Sequence, residues 1–108
     1  MIYLATPYSH PDPEVMEQRF QQACKVAGKL MGQGHIVFSP IAHTHPIAVE
    51  GNLDRGWGFW GKFDYEFVSF SEEVWVVKMD GWDTSRGVAA EIKLATELGK
   101  PVKFLEAE

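Results

Sequence analysis

The stretch TSRGVAAE, at positions 84–91, combines residue types that could bind a small polar ligand and act on it. If a helix begins here, its first backbone N–H groups have no partners within the helix, and they can hold an anion or a sugar hydroxyl. Ser85 would cap that helix, and Gly87 would allow a ligand to approach closely. In the alternative interpretation, Thr84 or Ser85 only caps the helix, and Arg86 lies in solvent.

Glu91 lies about five residues into this predicted helix, where a glutamate commonly faces solvent. Val88, Ile92 and Ala95 form the apolar stripe that should face the rest of the protein, and Glu91 lies on its border. Helical side chains lean back toward the helix start. Two placements of the Glu91 carboxylate therefore stay open, one in solvent and one beside a ligand at the first turn.

Asp64 is the second carboxylate of interest, because it lies within an aromatic stripe, four residues after Trp60 and three before Phe67. Apolar surroundings disfavour the charged form of a carboxyl group and raise its pKa, which is the property of a general acid. The alternative is an exposed edge position or an ion pair with Lys62 or Arg55.

The elements that must position these residues follow from alternating apolar runs and helical periodicities. Strands are predicted at 2–5, 35–40, 73–79 and 101–105, and helices at about 13–31, from about 57 and at 86–98. Positions 41–58 show no clear period and predict a loop of unusual length, as functional loops often have.

Strand and helix alternate four times, which predicts an α/β fold with an open parallel sheet and helices on both faces. Right-handed crossovers favour the strand order 2-1-3-4. Ligands bind such sheets beyond the carboxyl ends of the strands, where the order reverses. The loops TPYSHP, at 6–11, and DGWDTSRG, at 80–87, are therefore expected to face each other across one crevice between the first and third strands.

The composition indicates one globular domain spanning 1–108, with 45% hydrophobic and 23% charged residues. No apolar stretch approaches the roughly 20 residues that cross a membrane, so no membrane association is expected. The start MIYLATPYSH does not have the pattern of a secretory signal, and the single Cys24, on the stripe of the first helix, cannot form an internal disulfide. A cytoplasmic location is expected.

The net charge of −5 is spread over both halves without a basic block, so a nucleic-acid polymer is not an expected partner. Small molecules are favoured instead. His43 and His45 are two potential metal ligands, but a zinc site normally has three or four, so no metal is predicted. Trp57, Trp60 and Trp82 are either core or interface residues or stacking partners for a base, and stacking is favoured for Trp82.

Three segments carry a resemblance to a known group: IYLATPYS, FDYEFVSFSEEVWVV and SRGVAAEIKLATELGKPV. Together they resemble the nucleoside 2-deoxyribosyltransferase superfamily, which includes the 2'-deoxynucleoside 5'-phosphate N-hydrolases. The chain is most similar to an uncharacterised bacterial and phage branch that shares openings such as IYLATPYSHP and the segment SPIAHTHPIA. The resemblance implies a three-layer sheet of flavodoxin-like or Rossmann-like topology and a homodimer or higher homo-oligomer.

By this resemblance Tyr3, Asp64 and Glu91 are the catalytic residues. Glu91 would attack C1' of a nucleoside or nucleoside 5'-monophosphate to form a glycosyl ester, Asp64 would protonate the departing base, and Tyr3 would orient the nucleophile. Neither a metal nor an organic cofactor is implied. A noncatalytic nucleotide-binding or sensor module on the same fold is the alternative.

Ser85 has the spacing from Glu91 at which the N-hydrolases place a serine that contacts phosphate. The chain departs from the pattern at Thr6 and Pro7, where relatives usually have Gly, and its DGWD loop is about two residues longer. No serine follows Ser85, which leaves Arg86 or a histidine as a substitute phosphate contact. The residues expected to bind substrate are Thr6, Pro7, Tyr8, His43, His45, Asp80, Trp82, Ser85, Arg86 and Gly87.

Overall fold

The computed structural model describes residues 1–53 and 57–107, and these form a four-stranded sheet with four helices. Arg55 and the side chain of Trp57, both considered above, lie outside the described part of the chain. In chain order the elements are β1 (Ile2–Ala5), α1 (Pro13–Gly32), β2 (Val37–Phe38), α2 (Pro40–Glu50), α3 (Trp57–Phe70), β3 (Glu73–Lys78), α4 (Arg86–Glu97) and β4 (Val102–Glu106).

All strands of the sheet are parallel, and their order is β2-β1-β3-β4. In the register of β1 and β3, Ile2 lies opposite Glu73 and Ala5 lies opposite Val76. The predicted strand order is confirmed, and the fold is a three-layer, flavodoxin-like α/β architecture. The order reverses between β1 and β3, so a crevice is expected beyond their carboxyl ends.

The alternation of side chains along β1 divides the core into two layers, because successive strand residues point to opposite faces of the sheet. Ile2 and Leu4 join the apolar cluster that includes α1, whereas Tyr3 and Ala5 join the cluster that includes α3 and α4. All four side chains are buried. Tyr3 is thereby placed on the same side of the sheet as α3 and α4.

Helix α1 begins and ends close to the predicted positions. The Asp12 side chain caps it by accepting a hydrogen bond from the backbone N–H of Glu14 at 2.9 Å, and Pro13 occupies the first turn. Its inner face buries Ala23, Ala27 and Leu30, as the apolar stripe predicts. Cys24 lies beside this face and is partly exposed, and burial raises the pKa of its thiol.

Helix α2 corrects the prediction of a long loop over 41–58. Ser39 caps it through a bond from the backbone N–H of Ala42 at 3.3 Å, and Pro40 stands in its first turn. The helical period was hidden because two of its buried positions carry the polar residues Thr44 and His45. Strand β2 is also shorter than the predicted 35–40, and Pro40 already belongs to α2.

None of the helices in residues 1–53 and 57–107 combines the length and apolar character needed to span a bilayer.

Candidate active site

A cavity of about 350 Å³ opens beyond the carboxyl ends of β1, β2 and β3. Its volume lies within the range of small-molecule sites. The loops at 6–11 and 80–87 both contribute to its wall, so the prediction that they face each other is confirmed. The described residues that line it are Thr6, Tyr8, Ser9, Ile41, Thr44, Trp60, Asp64, Thr84, Ser85, Arg86, Gly87 and Glu91.

The structure brings Tyr3, Asp64 and Glu91 together at this cavity. The Tyr3 hydroxyl donates a hydrogen bond to Oε2 of Glu91, and it also interacts with the Asp64 carboxyl group. Both carboxyl groups line the cavity, although Glu91 is only 4% exposed and Asp64 only 7%. Tyr3 lies beneath them and is fully buried. Two acidic side chains from separate helices therefore share one phenol as a neighbour.

Asp64 is more deeply buried than two aromatic residues of its own helix. Phe63 and Phe70 are exposed, the latter by 73%, whereas Phe67 packs against the core. The helical spacing of Trp60, Phe63, Phe67 and Phe70 predicts one aromatic face on α3, and this prediction is only partly correct. Helix α3 packs against α4 through a face that includes Asp64, which turns this carboxyl group toward Glu91. This excludes the exposed edge position that was open for Asp64.

Burial changes the acidity of all three groups. It raises the pKa of Asp64 to about 6, an effect that the interaction with Tyr3 partly offsets. Burial also raises the pKa of Glu91 well above its ordinary value, and repulsion by Asp64 adds to the rise, while the Tyr3 hydrogen bond opposes it. The pKa of Tyr3 is raised by its own burial and by both carboxylates. Burial therefore favours the protonated form of both carboxyl groups.

The first turn of α4 forms part of the cavity wall. Ser85 caps the helix, since its Oγ accepts a hydrogen bond from the backbone N–H of Val88 at 3.2 Å. The same residue lines the cavity together with Arg86 and Gly87. The capping role of Ser85 is thus confirmed, and Ser85 lines the cavity as well. The Val88 and Ala89 N–H groups already bond to Ser85, whereas those of Arg86 and Gly87 have no partner within the helix and can bond to an anion or a hydroxyl.

The Thr6 hydroxyl is the one buried side-chain polar atom in the described part of the chain that has no hydrogen-bond partner. Thr6 follows β1 directly and lines the cavity. An unpaired buried hydroxyl is costly, so it calls for a specific explanation. A ligand atom in the cavity would supply the missing partner.

Two of the residues expected to contact substrate, His43 and His45, lie outside the cavity lining. His43 packs against the rings of Phe38 and Phe67, at centroid distances of 5.5 and 5.9 Å. His45 is buried behind Tyr8, with which it shares a hydrogen bond. Within the described residues, no cluster of three or more His, Cys, Asp or Glu side chains could hold a metal ion.

Pro7, Asp80 and Trp82 also lie outside the lining. Pro7 is fully buried, and Asp80 is exposed. Trp82 packs edge-on against Phe104 of β4, with ring centroids 5.6 Å apart, so its ring is occupied by the protein's own core. The prediction that Trp82 stacks on a ligand base is therefore not supported, because Trp82 does not line the cavity. Trp60 does line it. The contact with Phe104 joins residues 22 positions apart, which spacing alone does not reveal.

Arg19 of α1 joins the two loops that face each other. Its guanidinium donates to the carbonyl of Ser9 at 3.0 Å and to the carbonyl of Asp80 at 3.5 Å. Gly81 permits this contact, because a Cβ at that position would lie 2.4 Å from Nη2 of Arg19. The sequence interpretation missed Arg19, since a basic residue on an amphipathic helix gives no sign of a partner in a distant loop.

A chain of hydrogen bonds joins Tyr8, His45 and Glu17, and it leads from a residue of the cavity wall to the protein surface. The Tyr8 hydroxyl lies 2.6 Å from Nδ1 of His45, and Nε2 of His45 lies 3.0 Å from Oε1 of Glu17. The His45 ring also stacks on Phe20 at a centroid distance of 4.4 Å. Glu17 had not been predicted to take part, because it lies on the polar side of α1.

The fold and the cavity define a flavodoxin-like α/β protein with a buried carboxyl pair at its switch point. A family model described as Domain of unknown function (DUF1937) matches residues 1–107, and the chain belongs to this family. A search of curated proteins found no match.

Proposed function

We propose that this protein cleaves the N-glycosidic bond of a (deoxy)nucleoside or nucleoside 5'-monophosphate, or transfers its base, through a covalent intermediate on Glu91. One observation carries the proposal: Asp64 and Glu91, both buried, line one cavity and share the hydroxyl of Tyr3. Two carboxyl groups flanking one bond are the common equipment for hydrolysis at an anomeric carbon. The resemblance of the three sequence segments supports the choice of a nucleoside.

The first step joins the sugar to the protein. A carboxylate oxygen of Glu91 forms a bond to C1' while the bond from C1' to the base nitrogen breaks, and the electron pair of that bond goes to the base. Asp64 gives its proton to the departing base and becomes a carboxylate. The transition state resembles an oxocarbenium ion, so a negative Glu91 also stabilises the positive charge that develops at C1'.

The second step frees the sugar. Asp64 takes a proton from a water molecule, whose oxygen attacks C1' and displaces the Glu91 carboxylate. A second base in place of water would instead give base transfer. The nitrogen of that base bonds to C1' and gives its proton to Asp64. Either ending therefore returns the proton to Asp64 and leaves Glu91 ionised, so atoms and charges balance.

The scheme needs one proton on the pair, and that proton must be on Asp64 when the bond breaks. In the resting site, deep burial of Glu91 favours the proton on Glu91. The Tyr3 hydrogen bond opposes this because it stabilises the ionised Glu91. Positive charge at C1' would add to that effect and shift the proton to Asp64. Tyr3 is thus assigned the role of orienting Glu91 and stabilising its ionised form.

The walls of the cavity suit the rest of a nucleotide. Trp60 lines the cavity and gives its wall an aromatic side chain suited to a base, and the first turn of α4 offers N–H groups, Ser85 and Arg86 to a hydroxyl or phosphate. The unpaired Thr6 hydroxyl supplies one further polar contact. These features support a polar ligand with one flat, apolar part.

The proposal is tested by incubating the protein with nucleosides and nucleoside 5'-monophosphates, with and without an acceptor base, and following free base by chromatography. Glu91→Gln should abolish base release, because an amide does not attack C1'. Glu97→Gln, an exposed position on the same helix, is the matched control and should retain full activity. Saturable binding without base release from any compound would reject the enzyme and favour the nucleotide sensor instead.

A further inference from the structure

We infer that Arg19 is a positioning residue of the cavity, because its guanidinium bridges the first loop, residues 6–11, and the second loop, residues 80–87, before a ligand binds. This inference rests on the proposed function in that it takes the cavity as the binding site of a nucleoside or nucleotide. Arg19 does not line the cavity and is assigned no contact with the ligand. It acts through the two loops, both of which contribute to the lining.

The two terminal nitrogens of the Arg19 guanidinium bond to different loops. Nη1 donates to the backbone carbonyl of Ser9 at 3.0 Å, and the backbone carbonyl of Tyr8 lies 3.4 Å from the same nitrogen. Nη2 donates to the backbone carbonyl of Asp80 at 3.5 Å. A guanidinium is planar and holds its donors in fixed directions, so these bonds tie the position of one loop to that of the other. A lysine carries its three donors on one nitrogen and lacks this geometry.

Gly81 makes room for the bridge in the second loop. Its φ is +89°, and a Cβ at this position would lie 2.4 Å from Nη2 of Arg19. Gly34 has a similar φ of +96°, yet an added Cβ there would meet nothing within 4 Å. The need for glycine at position 81 therefore has two parts. Gly34 shares the backbone conformation, whereas the close approach of the guanidinium distinguishes Gly81.

The bridge has a consequence for ligand binding. The two loops follow the paired strands β1 and β3, and together they supply Thr6, Tyr8, Ser9, Thr84, Ser85, Arg86 and Gly87 to the cavity wall. A loop that a ligand must order loses conformational entropy on binding, and this loss weakens the affinity. Loops that Arg19 already holds in place avoid much of that loss, so the ligand binds more tightly.

The bridge is tested without any ligand, by a double-mutant cycle of Arg19→Ala and Gly81→Ala that is followed by chemical denaturation of the whole protein. In the wild-type background Gly81→Ala strains the backbone and displaces the guanidinium, whereas in Arg19→Ala only the strain is left. Gly81→Ala should therefore raise the equilibrium constant of unfolding about fivefold less in Arg19→Ala than in the wild type. Gly34→Ala is the matched control and should have the same effect in both backgrounds. Equal effects of Gly81→Ala in both backgrounds would overturn the inference.

Hydrogen exchange followed by mass spectrometry tests whether Arg19 holds both loops. In Arg19→Ala the backbone amides of the first and second loops should both exchange about fivefold faster, because each loop has lost a bond to the same side chain. Arg19→Lys should resemble Arg19→Ala although it keeps the positive charge. Lys25→Ala, an exposed basic position on α1, is the control and should leave both loops unchanged. Faster exchange in one loop alone, or wild-type exchange in Arg19→Lys, contradicts a bridge.

The effect on the ligand is tested by calorimetric binding of 2'-deoxyadenosine 5'-monophosphate to the whole protein. Arg19→Ala and Arg19→Lys should each bind this nucleotide about fivefold more weakly than the wild type, because binding must then order the loops. Lys25→Ala should bind it with wild-type affinity, which controls for the loss of a positive charge on α1. Wild-type affinity in Arg19→Ala, or no binding of this nucleotide to the wild type, rejects the role of Arg19 in ligand binding.

Turnover separates this inference from the proposed function. For a compound that releases its base, Arg19→Ala should raise KM about fivefold and leave kcat within about twofold, because Asp64 and Glu91 lie on helices outside the two loops. A smaller folded fraction would instead lower kcat and leave KM unchanged, and that result would contradict a positioning role. Absence of base release from every compound rejects the proposed function alone, since the denaturation, exchange and binding results do not depend on it.

Discussion

The hydroxyl of Tyr3 donates its hydrogen bond to Glu91 across 88 positions of sequence. The two residues meet because β1 pairs with β3, and the chain passes from β3 through one short loop into α4. Tyr3 lies on β1, which has a strand on either side, so the proposed nucleophile Glu91 is hydrogen-bonded to an inner strand of the sheet. This contact links the stability of the protein to the chemistry of the site.

Tyr3→Phe should retain the fold but lose activity. The phenyl ring fills the same space, whereas the buried Glu91 loses a donor, which costs about 1 to 3 kcal/mol in the free energy of unfolding. Base release should fall at least about tenfold, because the ionised Glu91 loses its stabilising bond. Chemical denaturation and kcat measurements check both effects. Tyr65→Phe, exposed on α3, is the control, and full activity in Tyr3→Phe would contradict the assigned role.

The rate of base release should depend on pH through the carboxyl pair. With the pKa of Asp64 raised to about 6, both carboxyl groups are protonated below that pH and no nucleophile is ionised. We therefore expect kcat/KM to rise as pH increases through about 6, and to fall at more alkaline pH when the pair loses its second proton. An acid limb near pH 4, the ordinary range of these side chains, would show that burial does not control the site.

Stability should depend on pH through Asp64. Its folded-state pKa of about 6 exceeds the ordinary 3.8, so between these values only the folded protein holds the proton. Asp64 makes its full contribution to the free energy of unfolding below about pH 4, and this contribution is lost as pH rises through about 6. Asp64→Asn removes this loss, so the variant should gain up to about 3 kcal/mol relative to the wild type between pH 4 and 7.

The test is whether the free energies of unfolding of the wild type and of Asp64→Asn diverge as pH changes. A difference that is the same at every pH would only report that an amide forms different hydrogen bonds from a carboxyl group. Glu66→Gln, an exposed position on α3, should run parallel to the wild type. Parallel curves for Asp64→Asn would mean that this carboxyl group ionises as readily in the folded protein as in the unfolded chain.

Thr6→Val should raise stability and weaken ligand binding. The valine side chain has nearly the same shape, and it removes a buried hydroxyl that has no partner in the described structure, so the free energy of unfolding should increase by about 1 kcal/mol. The affinity for a ligand that pairs with this hydroxyl should fall about threefold to tenfold. Thr96→Val is the control, since that hydroxyl already bonds the Ile92 carbonyl. A loss of stability in Thr6→Val would reveal a structural role instead.

Gly81→Ala should destabilise the protein and loosen the two loops that Arg19 joins. Gly81 has a φ of +89°, which strains an alanine, and the added Cβ would displace the Arg19 guanidinium. We expect a loss of about 1 to 3 kcal/mol on thermal or chemical unfolding. Gly28→Ala is the matched control, because that glycine lies within α1 with nothing within 4 Å of the added carbon, and alanine should stabilise the helix. Equal effects of the two changes on stability would contradict the proposed need for glycine beside the Arg19 guanidinium.

Much of the fold could be predicted from local pattern. The continuous apolar runs of β1 and β3, the capped period of α1 and the amphipathic α4 each follow from neighbouring residues, and right-handed crossovers then leave few strand orders. Helix α2 was missed because its buried positions include the polar residues Thr44 and His45. His45 bonds to Tyr8 and stacks on Phe20, both of which lie outside this helix. Ser39 followed by Pro40 was the available signal for its start.

For the candidate site, sequence and resemblance together singled out Tyr3, Asp64 and Glu91, and the order of strands predicted which loops would meet. Only the tertiary structure shows which side chains face the cavity. Asp64 is buried, Trp82 packs against Phe104, and the Thr6 hydroxyl has no hydrogen-bond partner among the described residues. The physical reason is one of range. Hydrophobic period and turn preference act between near neighbours, whereas burial, hydrogen-bond pairing and acidity depend on groups that only folding brings together.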